Sequence, residues 1–150
     1  MKRTKAIMSS EILLPMGAAY RGSIDLVREG LSKKDKHSTL ALSILRFVDK
    51  HPEVSQGELG RILRRDPMTM SQAVRSLQNA GLVTSHADSE DKRVKRLSAT
   101  RKGHSLSESL RDNENKLLQG LARSWGKARA NQFAKDMAEF NDFLTKFGGN

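Results

Sequence analysis

Apolar residues recur at every third or fourth position over most of this chain, and that spacing predicts a mainly helical protein. It indicates helices over about residues 8–31 and 38–50, and Pro15 within the first marks either its start or a kink. A further long helix should run over about residues 100–124. The last helix has apolar residues in steps of four and three, as in a coiled-coil seam, at Phe133, Met137, Phe140, Leu144 and Phe147. Long amphipathic helices are therefore expected towards both ends of the chain.

The middle of the chain has a different pattern, of two short helices and two strands. Residues 55–58, Ser-Gln-Gly-Glu, fit a capping box at the start of the first short helix. The Asp-Pro pair at residues 66–67 supplies an N-cap and a first residue for the second helix, which Gly81 should end. Residues 82–86 and 94–99 can then pair as a hairpin across a polar turn. The expected fold class is mainly α with a small β-hairpin (α+β).

Two short helices followed by a hairpin form the arrangement called a winged helix-turn-helix, here expected over residues 37–99. In a helix-turn-helix the second helix enters the major groove of DNA, and its outward side chains meet base edges. Gln72 can bond adenine through both amide atoms, and Arg75 can bond guanine or a phosphate. Both can equally be ordinary exposed helix residues. The outward set, which we predict to contact DNA, is Met68, Thr69, Ser71, Gln72, Arg75 and Ser76.

The charge of the chain favours a polyanionic partner, either nucleic acid or an anionic membrane. Lys and Arg number 27 against 17 Asp and Glu, a formal net charge of +10. Residues 61–102 alone carry ten Lys or Arg and four Asp or Glu, so the excess is concentrated in the expected winged region. A soluble basic protein without such a partner would also have this composition.

The turn of the hairpin is the most basic short segment of that region. A slender basic loop suits the minor groove of DNA, where negative potential favours Arg. Asp91 can hydrogen-bond the Arg93 guanidinium and fix its direction. The alternative is a solvated charged turn with an exposed ion pair of little energetic value. The predicted DNA contacts of this wing are Asp91, Lys92, Arg93, Lys95 and Arg96.

Residues 45–103 resemble the MarR family of bacterial regulators. The similar pieces, in the family's order and spacing, are SQGEL from residue 55, DPMTMSQAVRSL from 66, GLV from 81, EDKR from 90 and LSATRKG from 97. The resemblance implies a homodimer whose terminal helices interleave and whose two wings straddle a pseudo-palindromic site in double-stranded DNA. It also implies that Arg93 enters the minor groove, with Asp91 orienting it. Glu90 departs from the pattern, since the family often has a basic residue there.

The resemblance also divides the chain and suggests how it is regulated. Residues 1–36 and 100–150 would form a helical dimerisation region around the DNA-binding domain at 37–99. A small aromatic effector would bind in a cleft between the two, where Met16 and Tyr20 on the first helix would face it. The hypothesis is a dimeric, sequence-specific transcription regulator, most often a repressor in this family. The alternative is a protein-interaction or architectural DNA-binding protein without effector response.

Other function classes have little support in the sequence. Because the chain has no cysteine, disulfides, thiol redox sensing and thiolate zinc sites are excluded. The four histidines lack metal-ligand spacing, and no Ser/His/Asp arrangement, phosphate loop or paired carboxylate indicates catalysis, so no enzyme activity, cofactor or metal is expected. No apolar stretch is long enough to span a membrane, and the basic start lacks the apolar run of a signal peptide. We therefore expect a cytoplasmic protein.

Overall fold

The computed structural model describes residues 9–35 and 37–148, which form six α-helices and one three-stranded antiparallel sheet. In chain order the elements are α1 Ser9–Glu29, α2 Thr39–Lys50, β1 Val54–Ser55, α3 Gln56–Ile62, α4 Pro67–Asn79, β2 Val83–Ala87, β3 Lys95–Ala99, α5 Arg101–Trp125 and α6 Lys127–Phe147. The expected class, mainly α with a small wing, is confirmed. Met8, where the first helix was expected to begin, lies outside the described residues.

The N-cap residues of the middle helices explain where these helices begin. The Ser55 hydroxyl accepts a hydrogen bond from the Glu58 N–H at 3.1 Å, and a Glu58 carboxylate oxygen accepts one from the Ser55 N–H at 2.9 Å, which completes a capping box on α3. Asp66 caps α4 through the Thr69 N–H at 2.9 Å. Thr100 caps α5 through the Gly103 N–H. The sequence signals for all three helix starts are confirmed.

Pro15 lies inside α1 and does not begin it, so a helix start at this residue is wrong. The helix runs for six residues before the proline. Proline removes one intrahelical hydrogen bond and crowds the preceding turn. Here its ring is exposed, so the loss is confined to a turn of the helix that faces solvent in the single chain.

The hydrophobic core lies between α2, α4, the sheet and the first half of α5. Its most deeply buried large side chains are Ile44, Leu45, Val48, Leu59, Met70, Leu77, Leu82 and Leu97. The end of α1 joins the core through Val27 and Leu31. None of the described side chains of α6 is buried. The packed core is therefore that of the winged region, and α6 lies outside it.

The sheet has the strand order β1-β3-β2. β2 and β3 pair from Val83 with Ala99 to Ala87 with Lys95, which forms the predicted hairpin. The two-residue strand β1 adds to the other edge of β3 and was not predicted, because two residues carry no alternating pattern. It ties the segment before α3 to the hairpin.

No helix in residues 9–35 or 37–148 combines the length and the hydropathy needed to cross a membrane.

Candidate nucleic-acid interface

A tight turn between α3 and α4 sets the angle between these two helices. Arg64 has a positive φ of 50°, and the Arg65 N–H donates to the Gly60 carbonyl at 2.9 Å. The left-handed residue reverses the chain just after α3, and Asp66 then caps the next helix. The pair α3–α4 is thus a helix-turn-helix with the order and spacing expected from sequence.

The outer face of α4 is exposed along its length. Met70, Val74 and Leu77 are buried on the inner face, at the spacing of one face of a helix. Of the outward set, Met68, Gln72, Arg75 and Ser76 are exposed, with 72% of the Met68 side chain accessible. Thr69 and Ser71 are half-buried at the edges of this face. Four of the six predicted recognition residues therefore project freely from the helix.

The tip of the wing is closed by hydrogen bonds from backbone N–H groups to two aspartates. The Asp88 Oδ1 accepts from the N–H groups of Glu90 and Asp91, at 2.9 and 3.1 Å. The Asp91 Oδ1 accepts from the Arg93 N–H at 2.9 Å. These are Asx turns, which shape a loop without any regular strand.

The hydrogen bond expected between Asp91 and the Arg93 guanidinium is absent, because Asp91 bonds the backbone of Arg93 instead. At a separation of two residues the carboxylate reaches the backbone N–H of Arg93, so it shapes the loop and does not hold the guanidinium. The side chains of Lys92, Arg93 and Lys95 are exposed. The wing thus presents three cations that carry no ion pair among the described residues.

Arg96, which the sequence predicts as a DNA contact of the wing, has its charged group bonded within the protein. It lies in β3, opposite His86, and its Nε donates to the Asp88 Oδ2 at 2.6 Å. The hydrogen bond to Arg96 is the largest cause that lowers the pKa of Asp88 to about 2, and the bonds from the Asp91 and Glu90 N–H groups add to it. The same pair raises the pKa of Arg96. The charge of Arg96 is therefore satisfied within the protein.

A cleft of about 610 Å³ separates the start of α3 from the wing. It is lined by residues of the α3 capping segment, by Ser71 of α4 and by the wing from Arg93 to Arg96. Helix-turn-helix and wing therefore border one open groove on one side of the molecule. Both of the predicted contact elements contribute to it.

Three arginines that were not assigned to the site from sequence lie on the same side. Arg61, Arg64 and Arg65 line a second cleft, of about 500 Å³, beside Pro67 and Met70. All three are exposed. The charge count starting at residue 61 includes all three, but their position beside α4 depends on the α3–α4 turn and on how the two helices pack.

The residues expected at an effector cleft lie on α1, where Met16 is half-buried and Tyr20 is exposed. A small cleft of about 60 Å³ does lie between α1, α2 and α5. Its lining residues include Ile24, Val27 and Leu42 but neither Met16 nor Tyr20. In the part of the chain that the structure describes, no cluster of His, Asp or Glu has the arrangement of a metal site.

The terminal helices expose a large apolar surface in the single chain. Phe143 is 54% exposed and lies between the rings of Phe140 and Phe147, with centroids 6.4 and 5.5 Å away. Other exposed large apolar residues of these helices are Ile12, Leu13, Leu14, Tyr20, Leu26, Leu118, Trp125, Phe133, Met137, Leu144 and Phe147. Exposed apolar side chains in this number are unusual for a monomeric protein and are typical of a surface that another molecule covers.

Comparison with known proteins adds one family and many similar folds. Residues 38–94 match the sequence model of the MarR family. Among curated proteins, none matches the chain in sequence.

Solved structures resemble the chain over nearly its whole length. A MarR protein from Peptoclostridium difficile has a TM-score of 0.79 and 22% identity, and the match covers 96% of this chain and 92% of that one. Streptococcus pneumoniae FabT in complex with DNA has a TM-score of 0.78 and 15% identity, and the match covers 93% of this chain and 99% of that one. The S. aureus MepR–DNA complex has a TM-score of 0.72 and 17% identity, and the match again covers 93% of this chain and 99% of that one. These likenesses show that the fold, including its flanking helices, is that of the winged-helix MarR structures.

Proposed function

We propose that this winged-helix chain, whose residues 38–94 match the sequence model of the MarR family, is a dimeric, sequence-specific regulator of transcription of that family. It binds double-stranded DNA at a pseudo-palindromic site and acts most simply as a repressor, by covering a promoter. This function requires no catalytic chemistry. Regulation depends on binding alone.

One observation carries this proposal: Ser71, at the edge of the exposed face of α4, and two unpaired cations of the wing, Arg93 and Lys95, line the same open groove. A helix of this kind fits the major groove, and a basic loop beside it reaches the adjacent minor groove. The recognition helix would contribute Met68, Thr69, Ser71, Gln72, Arg75 and Ser76. The wing would contribute Lys92, Arg93 and Lys95, while Asp91 shapes its tip. Two relatives of this fold were solved in complex with DNA, which supports the same mode of use.

The dimer follows from the apolar surface of the terminal helices. α6 has no buried side chain in the single chain, yet four of its residues are Phe. A helix with such a stripe is stable in water only when another surface covers it. The described part of the chain has no element left to cover α6, so a second copy is the simplest partner.

Selection of DNA sites from a random pool tests the regulator reading directly. The parent protein should enrich an inverted repeat, and its affinity should fall steeply with salt because phosphate contacts release counterions. If selection enriches no motif while binding remains salt-dependent, the alternative holds: an architectural DNA-binding protein. If no duplex binds, both readings fail.

Two substitutions separate positioning contacts from base contacts at the selected site. Arg93→Ala should weaken binding to all sequences and lower the salt slope by about one unit. Gln72→Ala should cost about 1–3 kcal/mol at the preferred site and relax the preference at particular base pairs. Lys135→Ala, an exposed cation on α6, is the matched control and should change neither the preference nor the slope. Equal behaviour of all three variants would contradict the assignment.

Release by a small aromatic effector extends the proposal. Met16 and Tyr20 line no described cleft of the single chain, so a site containing them would be completed by the partner subunit. An effector acts only through different affinities for the DNA-binding and released forms. DNA affinity measured with and without phenolic compounds, for the parent and Tyr20→Ala, tests this part separately from DNA binding itself.

A further inference from the structure

Arg96 joins three segments that meet at the base of the wing. Besides Asp88 at the start of the wing loop, its Nη1 donates to the Glu53 carbonyl at 3.2 Å, in the segment before β1. The same nitrogen lies 3.4 Å from the Glu58 Oε2, in the first turn of α3. One planar guanidinium therefore links the wing loop to the helix-turn-helix. Glu58 also closes the α3 capping box, so this link reaches the start of that helix.

A second set of bonds holds the same region. Glu53 adopts a left-handed backbone, with φ at 68°, which a residue with a long side chain rarely does. Its carboxylate accepts from the Ser98 hydroxyl at 2.6 Å and pairs with the His86 Nε2 at 2.9 Å. Both β2 and β3 are thus tied to the segment whose carbonyl Arg96 binds. The strained backbone of Glu53 persists because these bonds hold it.

We propose that Arg96 is a positioning residue, which holds the wing at a set angle to α3 and α4 so that Arg93 reaches the minor groove while α4 occupies the major groove. The inference rests on the proposed DNA binding and deepens it. It replaces the sequence-based expectation that Arg96 itself contacts DNA. DNA contact by the wing is left to Lys92, Arg93 and Lys95, which have no carboxylate partner among the described residues.

The bonding of Arg96 argues against a direct role at phosphate. Asp88 is 15% exposed and Arg96 is 32% exposed, so their charged bond is screened less than one at the surface. Because Nε bonds Asp88 and Nη1 bonds the Glu53 carbonyl and Glu58, a two-pronged contact with a phosphate would require the guanidinium to break at least one of these bonds. A single exposed ion pair would have little value, but here several bonds from one rigid fork act together.

Removal of an acidic charge gives the sharpest test. Asn at position 88 keeps an oxygen for the N–H groups of Glu90 and Asp91 but loses the charge that holds Arg96. Asp88→Asn should weaken binding to the selected duplex by about tenfold, although it makes the protein more basic. Glu90→Gln is the matched control, since it removes one acidic charge from the same loop and its side chain bonds nothing in the structure; its binding should be unchanged or tighter.

Substitutions of Arg96 supply the other half of the test. Arg96→Gln should weaken binding without changing the salt slope, because the loosened wing still makes its contacts in the complex but must first be ordered. Lys95→Gln should instead lower the slope by about 0.9, as for the loss of one phosphate contact. Arg96→Lys keeps the charge but not the planar fork, and should be weakened like Arg96→Gln. The double variant Asp88→Asn with Arg96→Gln should be no weaker than either single variant, because both break one link.

A measurement without DNA checks the same link. In Arg96→Gln the amide protons of Glu90 and Asp91 should exchange faster than in the parent, while those of α2 exchange at the parent rate, which shows that the fold is intact. Tighter binding by Asp88→Asn would overturn the proposal. A lower salt slope for Arg96→Gln, together with full binding by Arg96→Lys, would also overturn it and make Arg96 a phosphate contact. A parent protein that binds no duplex would instead refute the proposed function, and the exchange result would still decide whether Arg96 holds the wing.

Discussion

At the scale of single residues, hydrogen bonds decide which charges of this protein are available to a partner. His104 illustrates this on α5. Its Nδ1 lies 2.8 Å from the Asp49 Oδ1 of α2, and its Nε2 lies 3.9 Å from Glu108. The bond to Asp49 is the largest cause that raises the pKa of His104, with Glu108 adding and Arg111 opposing. The protonated ring therefore links α2 to α5.

This link predicts a pH dependence of stability. Because the pKa of His104 is higher in the folded chain than its ordinary value of 6.5, protonation favours the folded state. Its contribution is fully present below pH 6.5 and is lost as the pH rises through the folded pKa. The melting temperature of the parent should exceed that of His104→Gln at pH 6, and the difference should shrink by pH 8. His51→Gln is the control for a general histidine effect. A difference that stays constant with pH would contradict the ion pair.

At the scale of elements, the junction between α4, β2 and α5 holds the recognition helix against the core. The Thr100 hydroxyl donates to the Gly81 carbonyl at 2.7 Å, and the Lys102 Nζ donates to the Ala80 carbonyl at 2.7 Å. Gly81 itself has a φ of 70°, a conformation that favours glycine just after a helix end. The start of α5 is thereby joined to the end of α4. The direction of the recognition helix depends on this contact as much as on its own residues.

Gly103 makes the closest approach in this junction, and Gly103→Ala should be strongly destabilising. A Cβ there would lie 2.0 Å from the Leu82 carbonyl oxygen, a backbone atom that cannot move freely. Overpacking of this kind lowers the free energy of unfolding by about 3 kcal/mol. Urea denaturation of the parent and of Gly103→Ala measures this difference in the free energy of unfolding.

Gly57→Ala is the matched control in α3, because a Cβ there meets nothing within 4 Å. It should leave the free energy of unfolding unchanged or raise it by up to about 1 kcal/mol. Equal effects of the two substitutions would show that the close approach to Leu82 is absent in solution.

At the scale of the whole molecule, the chain has one packed region and a large uncovered one. The core is built around α2, α4, α5 and the sheet, whereas the apolar residues of α6 lie outside it. The winged-helix region, which we propose binds DNA, is therefore packed within one chain. The uncovered region is completed by the proposed dimer.

A charge placed on the uncovered surface tests the dimer. Phe143→Asp should turn the dimer into monomers at micromolar concentration and weaken binding to the inverted repeat by at least about 100-fold, because the two half-sites are no longer bound together. Sedimentation equilibrium and DNA binding measure the two effects. Asn131→Asp is the control, since it makes the same charge change at an exposed position of α6 about 120° around the helix from Phe143. A parent protein that is monomeric at this concentration would contradict the dimer outright.

Part of this protein is determined by the sequence alone, because the interactions concerned are local. Helix starts at Ser55, Asp66 and Thr100 follow from side chains that bond a backbone three residues away, and the inward residues of α4 follow from helical spacing. The order of elements and the exposed outer face of α4 could be predicted for the same reason.

Only the tertiary structure decided the roles that depend on distant partners. Asp88 and Glu58 are far apart in the chain, yet both pair with Arg96, so local spacing could not show that the charge of this arginine is satisfied within the protein. Strand β1 is too short for a pattern and exists because β3 offers it an edge. The packing of residues that are distant in sequence decides which cations of the wing are unpaired and leaves the apolar residues of α6 uncovered. Local spacing does not contain that information.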